Sequence, residues 1–255
     1  MLNFKSISYI TLLTIIAIAV CSISKNCSWL LILLPIFLWL FITIIGSFSM
    51  RANFFLKSFT SKKLIESKKI AITFDDGPHP ELTYTILDIL DRYNTKATFF
   101  CIGNKVEQHP EILKEIAKRG HCIGNHSYSH SVNISFSSKS KWLEEIHKTD
   151  AILKKIIGKA PLYFRPPFGV TTPNLANALK ETRHTVIGWN NRSFDTVIKN
   201  KNLVLKRIIN QISIGDIILF HDTQPNTPYI LEHLLLHLKQ HKIEAITIND
   251  LLNEN

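Results

Sequence analysis

From residue 70 onward, short apolar runs rich in β-forming residues alternate with longer segments of helical period. That alternation restricts the chain to parallel strands joined by crossover helices. The strand candidates are 70–74, 97–102, 121–125, 162–165, 184–189, 216–221 and 244–248. Helices are expected over 83–93, 110–119, 139–157, 174–182, 203–212 and 229–241. Ile86, Leu87 and Leu90 share one helix face, as do Ile230, Leu231, Leu234 and Leu238. The expected fold class is α/β, either a barrel or a doubly wound sheet. Both gather their chemistry where strands end and loops begin.

Polar motifs stand at those ends: Thr73-Phe74-Asp75-Asp76-Gly77, His126-Ser127-Tyr128-Ser129-His130, Arg165-Pro166-Pro167-Phe168-Gly169, Asp195, and Leu219-Phe220-His221-Asp222. Asp75 and Asp76 close the first strand before Gly77-Pro78, a turn that stops strand and helix alike. Adjacent acids point apart from an extended backbone, so one is expected to ligate a metal and the other to accept a proton. His126 and His130, four residues apart, share one side of a helical turn or compact loop. Two imidazoles and a carboxylate leave room for water around a divalent ion such as Zn²⁺. Arg165 ends the fourth strand, and Pro166-Pro167 makes the following turn rigid enough to aim the Phe168 N–H at a developing oxyanion. His221 is the candidate general acid, since imidazole titrates near neutrality.

A second histidine series provides a control. His233, His237 and His241 also recur every four residues, but they run beside the apolar stripe of one helix with no aspartate in the motif. They read as that helix's polar flank.

The first 48 residues are of another kind. Segments 7–23 and 29–48 contain no charged residue except Lys25 in the turn between them, and each approaches the length that crosses a bilayer core. The expected organisation is a transmembrane hairpin over 1–48, a basic juxtamembrane connector over 49–69 and a catalytic domain over 70–255. A cleaved leader is the competing reading of the first run, because Lys5 precedes it and Ala17 and Ala19 are small. The residues around Cys21 nevertheless make a poor cleavage site.

The net charge of +10 is concentrated in the same region. Residues 1–69 hold eight basic residues against Glu66 alone, whereas the rest of the chain carries 22 basic and 19 acidic residues. Such a distribution suits an anionic lipid surface and excludes a nucleic-acid partner, which would need a basic stripe on the soluble domain. Arg51, Lys57, Lys62 and Lys63 follow the second span, so the charge bias favours a bacterial-type cell membrane with the catalytic domain on its cytoplasmic face. A single signal-anchor span, or an inverted hairpin, would place it outside. Four cysteines make no disulfide framework, and Cys101 and Cys122 are expected as buried thiols.

Taken together, the five motifs resemble those of the polysaccharide deacetylase family, also called the NodB-homology domain or carbohydrate esterase family four, over roughly residues 68–252. The resemblance implies an irregular (β/α) barrel of about seven parallel strands. It also implies Asp75 as general base; Asp76, His126 and His130 as ligands of one divalent metal, Zn first, with Co, Ni or Mn as alternatives; and Arg165 as the residue that orients the base. Asp195 and His221 then form the carboxylate-tuned acid, while Phe168, Leu219 and Pro167 border the substrate. The chain departs from the family pattern at Thr196, where many members carry Trp after the fourth-motif Asp; Trp189 stands six residues before Asp195. The implied reaction removes the N-acetyl group of an amino sugar, in a glycan or a lipid-linked saccharide, to give acetate and a free amine. A deformylase of a lipid-linked formamido sugar and a glycan-binding barrel without turnover are the competing readings.

Overall fold

The computed structural model describes residues 3–63 and 67–254. The middle of the expected connector, 64–66, lies outside them, as do residues 1 and 2 and the final residue of the expected catalytic domain, Asn255.

The two apolar runs form helices α1 (Phe4–Ile23) and α2 (Leu33–Ser47), the second entered through a 3-10 turn at Trp29–Ile32. Asn3 caps α1 by accepting from the Ser6 N–H at 3.0 Å. Each segment is long and apolar enough to cross a membrane, with mean hydropathy 2.2 over Phe4–Ile23 and 2.6 over Trp29–Ser47. Their polar contact is internal, Trp39 Nε1 donating to Ser8 Oγ at 3.0 Å. A disulfide joins Cys21 near the end of α1 to Cys27 in the turn, a pairing that the sequence reading did not foresee, while Cys101 is the buried free thiol expected and Cys122 a free thiol only partly buried.

Beyond the hairpin, eight strands among the described residues build one parallel sheet: β1 (Lys69–Gly77), β2 (Thr98–Cys101), β3 (Cys122–Asn125), β4 (Tyr163–Phe164), β5 (Thr185–Val186), β6 (Asn191–Arg192), β7 (Ile217–His221) and β8 (Glu244–Ile246). Seven correspond to the expected strands, and β6 is an addition of two residues. Between them lie α3 (Leu82–Arg92), α4 (Gly103–Gln108), α5 (Pro110–Lys118), α6 (Lys139–Ile157), α7 (Pro173–Thr182), α8 (Lys201–Gln211), α9 (Thr227–Gln240) and α10 (Ile248–Asn253). The helix ends follow local chemistry. Ser138 and Thr172 cap α6 and α7, Pro173 opens α7, and Gly158 closes α6 in the left-handed region.

Strand alternation sorts side chains to two sides of the sheet. Ile70, Ile72 and Phe74 of β1 join Ile218 and Phe220 of β7 in the core beneath the helices, where Phe74 stacks on Phe99 at 4.9 Å and on Phe220 at 5.9 Å. Burying each such side chain contributes about 1.5–3 kcal/mol. The residues between them, Ala71 and Ile217 with Phe100, Ile187 and Ile246, form a smaller interior core. By the same alternation Thr73, Asp75, Leu219 and His221 face that interior.

The sheet order β5-β4-β3-β2-β1-β7-β6, with β8 beside β1, leaves β5 and β6 as unpaired ends, so the barrel does not close. The connector occupies this seam. Phe59 accepts from the Gly188 N–H at 2.7 Å and donates to Val186 O at 2.9 Å, while the Lys62 N–H donates to Gly215 O at 2.8 Å. The hairpin's polar end is tied to the same region: the Phe4 N–H donates to Phe54 O at 3.0 Å, and the Thr171 N–H to Ser47 O at 2.9 Å.

One core histidine carries a testable consequence. His121, 7% exposed, accepts from the Ala97 N–H through Nδ1, and its buried Nε2 has no partner. Burial therefore pulls its pKa down to about 4. Because the folded value lies below the unfolded one, His121 contributes stability above pH ~6.5 and loses it as pH falls toward 4, at about 1.4 kcal/mol per pH unit. Melting of the wild type and His121→Asn in detergent is expected to diverge least in slope above that window and most within it, the variant being the flatter. Parallel curves from pH 7 to pH 4 would refute the assignment.

Candidate active site

Register brings the motifs to one level. In β1, Asp75 pairs with His221 of β7 and with Phe100 of β2; in the neighbouring ladders Cys101 pairs with Asn125, and Asn125 with Phe164. His126 follows Asn125 and Arg165 follows Phe164, so Asp75, His126, Arg165 and His221 emerge from the same rim.

The two acids do not diverge as an extended strand would dictate. Between Asp75 and Gly77 the β1–β2 register shifts, and Asp76 adopts φ +73°. This bulge turns both carboxylates toward one imidazole: His126 Nε2 lies 3.3 Å from Asp76 Oδ1 and 3.8 Å from Asp75 Oδ2. Lys105 Nζ holds the bulge by donating to Asp76 O at 2.8 Å. Gly77 is required next, because a Cβ there would overlap the Asp222 carboxyl. That carboxyl, wholly buried, accepts from Thr83 Oγ1 at 2.6 Å, and burial pushes its pKa up to about 7. Asp222 thus braces the loop from below.

His126 and His130 sit on a compact loop without helix. Ser127 and His130 have positive φ; the Ser127 N–H donates to Asn125 Oδ1 at 2.8 Å and the His130 N–H to Ser127 Oγ at 3.2 Å. Glu145 of α6, 3% exposed, accepts from the Tyr128 and Ser129 N–H groups and the Ser129 hydroxyl through one oxygen. Sequence reasoning missed Glu145, whose only local sign is an acid one turn inside an amphipathic helix.

His130 Nε2 lies 3.3 Å from Asp76 Oδ1, so Asp76, His126 and His130 present three donor atoms within 4.8 Å of one another. The donor chemistry fits a divalent cation. His126 Nδ1 is 2.7 Å from Arg165 O, which can only accept, so Nδ1 carries a hydrogen and Nε2 is the ring nitrogen available to a metal ion. Burial, with the His126 charge, lowers the His130 pKa to about 4, keeping it neutral. Burial opposes ionisation of Asp76, but the imidazoles around it win and hold its carboxyl well below the usual range. Burial likewise opposes a charge on His126, yet Asp75 and Asp76 raise its pKa, and the same negative field would hold a metal ion.

Arg165 has no solvent exposure. It donates to Asp75 Oδ1 and Thr73 Oγ1 at 2.7 Å each, to Gly188 O at 2.9 Å and to Ile187 O at 3.1 Å, with its guanidinium 4.1 Å from the Phe100 ring centre. Oδ1 of Asp75 is thereby occupied and Oδ2 is left facing His126. Across the rim, Asp195 Oδ1 meets His221 Nδ1 at 2.8 Å, and its other oxygen accepts from the His221 N–H at 2.8 Å and Thr227 Oγ1 at 3.0 Å. Burial works against a charged His221, but the Asp195 hydrogen bond and charge outweigh it and raise the imidazole pKa.

Phe168, half-exposed with φ +59°, lays its ring 4.6 Å from that of His130. Pro167 is buried in the turn that carries it. Leu219 is buried two residues before His221 on the same strand face. Trp189 packs on Gly169 and lies 5.7 Å from the Arg165 guanidinium, whereas Thr196 is exposed. The α9 histidines remain apart from all of this: His233 and His241 bond to carbonyls one turn back on their own helix.

Comparison with known proteins places the chain. Residues 62–187 match the polysaccharide deacetylase family model. A peptidoglycan-N-acetylglucosamine deacetylase of Bacillus cereus is 37% identical over 61% of this chain and 56% of its own length. A second from the same organism is 34% identical over 72% of this chain and 88% of its own. A family 4 acetyl xylan esterase from Clostridium thermocellum, solved with a cobalt ion, superposes with a TM-score of 0.67 at 35% identity, covering 72% of this chain and 90% of that one. The chain belongs to the polysaccharide deacetylase family, carbohydrate esterase family four. It spans between 38% and 56% of the length of several curated relatives that it matches.

Proposed function

We propose that this chain is a membrane-anchored, metal-dependent hydrolase that removes the N-acetyl group of an amino sugar, releasing acetate and a free amine. The observation that carries the reading is the register pair Asp75–His221: a proton acceptor tied by Arg165 and a proton donor tied by Asp195 face each other beside the Asp76–His126–His130 donors. A divalent ion held there, Zn²⁺ first, supplies Lewis acidity and lowers the pKa of water. Asp75 Oδ2 accepts the proton of the attacking water. The Phe168 N–H assists the oxyanion. His221, whose pKa Asp195 raises, donates to the departing nitrogen as the C–N bond breaks. Leu219 and Pro167 border the acyl group.

The names of the relatives include an amide and an ester specificity, so the acyl bond is to be tested directly. Acetate release is expected from N-acetylated amino sugars in a panel of chitooligosaccharides, peptidoglycan, lipid-linked N-acetylhexosamines, formamido sugars and acetylated xylan. His126→Ala should lose both bound metal and turnover. Release confined to xylan or to formate, or undiminished turnover by the variant, would overturn the reading.

The paired cysteines add to the charge argument for orientation. A disulfide between Cys21 and Cys27 suits an oxidising compartment, and this supports the reading in which both ends of the hairpin and the catalytic domain lie on the cytoplasmic face.

A further inference from the structure

The open seam of the barrel contains a groove of about 920 Å³ that takes no part in the chemistry above. Its lining brings together Phe48 and Arg51, just beyond α2, Lys63 of the connector, and Trp189, Arg192, Phe194 and Arg207 of the barrel. Arg192 and Arg207 place their guanidinium carbons 4.8 Å and 4.5 Å from the centre of the same Phe194 ring. Stacking on one ring sets both planar forks without spending their donors. The Nε atoms of both arginines are shielded from solvent and have no hydrogen-bond partner.

Among the described residues, none of Arg51, Lys63, Arg192 and Arg207 forms an ion pair. One acid, Asp216, lines the groove, and its oxygens already accept from Asn190 Nδ2 and the Ser213 N–H. Four cations against one engaged carboxylate repel one another. Such an arrangement is stabilised by an anion with several acceptor oxygens, which arginine forks bind bidentately.

Two neighbours identify the source of that anion. Phe48, which follows α2 directly, lines the groove, and Phe37, Leu40, Phe41 and Ile44 of that helix are exposed, so an alkyl chain lying along the helix would deliver its headgroup there. Trp189 of the lining also packs on Gly169 and lies 5.7 Å from the Arg165 guanidinium, and Phe194 precedes Asp195 of the acid pair. We propose that the groove is a phosphate-binding subsite for a lipid-phosphate carrier, and that the amino sugar reaches the catalytic rim while attached to that carrier. The assignment rests on the deacetylase reading for the sugar, but not for the phosphate.

Binding is therefore measured apart from turnover, on the full chain in neutral detergent, with farnesyl phosphate as the probe, and farnesol and inorganic phosphate as its two halves. Farnesyl phosphate is expected to bind at least tenfold more tightly than either half. The Arg192→Gln/Arg207→Gln variant should lose at least tenfold of that affinity with metal content and melting temperature unchanged. Should the double variant misfold, Arg51→Gln at the exposed mouth should weaken binding severalfold by itself. Equal affinity for farnesol would refute a phosphate site, and equal affinity for inorganic phosphate would refute a lipid source. Unaltered binding by both variants would refute the groove. Farnesyl phosphate binding without acetate release from any N-acetyl sugar would leave the subsite standing and remove the deacetylase reading instead.

Discussion

An Asp75→Asn enzyme is expected to retain its metal and lose about 10²- to 10⁴-fold in kcat, the contribution of one positioned general base. The substitution is nearly isosteric, and an amide oxygen can still accept from Arg165 Nη1 where Oδ1 now does at 2.7 Å. What disappears is the proton acceptor at Oδ2, which faces His126 Nε2 across 3.8 Å. KM should change far less than kcat, because Asp75 acts on the transferring proton and not on the bound sugar. Asp76→Asn makes the contrast. It weakens a donor 3.3 Å from both imidazoles, so metal content and turnover should fall together. The measurement is elemental analysis for bound zinc alongside steady-state acetate release. Full turnover by Asp75→Asn would remove it from proton transfer, and metal loss equal to that of Asp76→Asn would make it a ligand.

The contrast between these neighbours also marks how far sequence reasoning reaches. Seven of the eight strands announced themselves by apolar content, and the rim chemistry at their ends could be read because β1 and β7 pair in register along their length. The division of roles between Asp75 and Asp76 was legible, but its geometric premise was not. The acids were expected to diverge, whereas a left-handed Asp76 turns both toward His126. A bulge depends on what the neighbouring strand does, and no residue type at 75–77 announces it.

The two-residue strand β6 escaped notice for a different reason, since Asn191 and Arg192 carry no alternation for periodicity to detect. Glu145 and Asp222 were hidden because their partners are distant in sequence: Glu145 serves the N–H groups of Tyr128 and Ser129, and Asp222 serves Thr83. The connector read as polar linker, yet its backbone bonds at Phe59 and Lys62 fill the seam of an unclosed sheet. Composition reports the polarity of such a segment and is silent about its hydrogen-bond partners.

Arg165→Met should separate the two things that this buried arginine does. Met fills much of the same volume but provides no donor, so the carbonyls of Ile187 and Gly188 and the Thr73 hydroxyl each lose a hydrogen bond. The larger cost is electrostatic, because the Asp75 carboxyl, 4% exposed, is left without its guanidinium partner. Breaking such a pair costs about 3–5 kcal/mol, which for a domain of this size lowers the melting temperature by roughly 6–20 °C. Turnover should fall too, since Oδ1 is no longer anchored and Oδ2 loses its fixed direction. Adding Asp75→Asn to Arg165→Met removes the stranded charge, so the double variant should recover part of the lost stability, a coupling of about 0.5–3 kcal/mol. It should recover no activity, because the proton acceptor has gone as well. Melting curves and acetate release on the two single variants and the double complete the cycle. Additive losses in stability would mean that Arg165 and Asp75 do not share a charge pair in the folded protein, and wild-type turnover by Arg165→Met would show that the base needs no positioning.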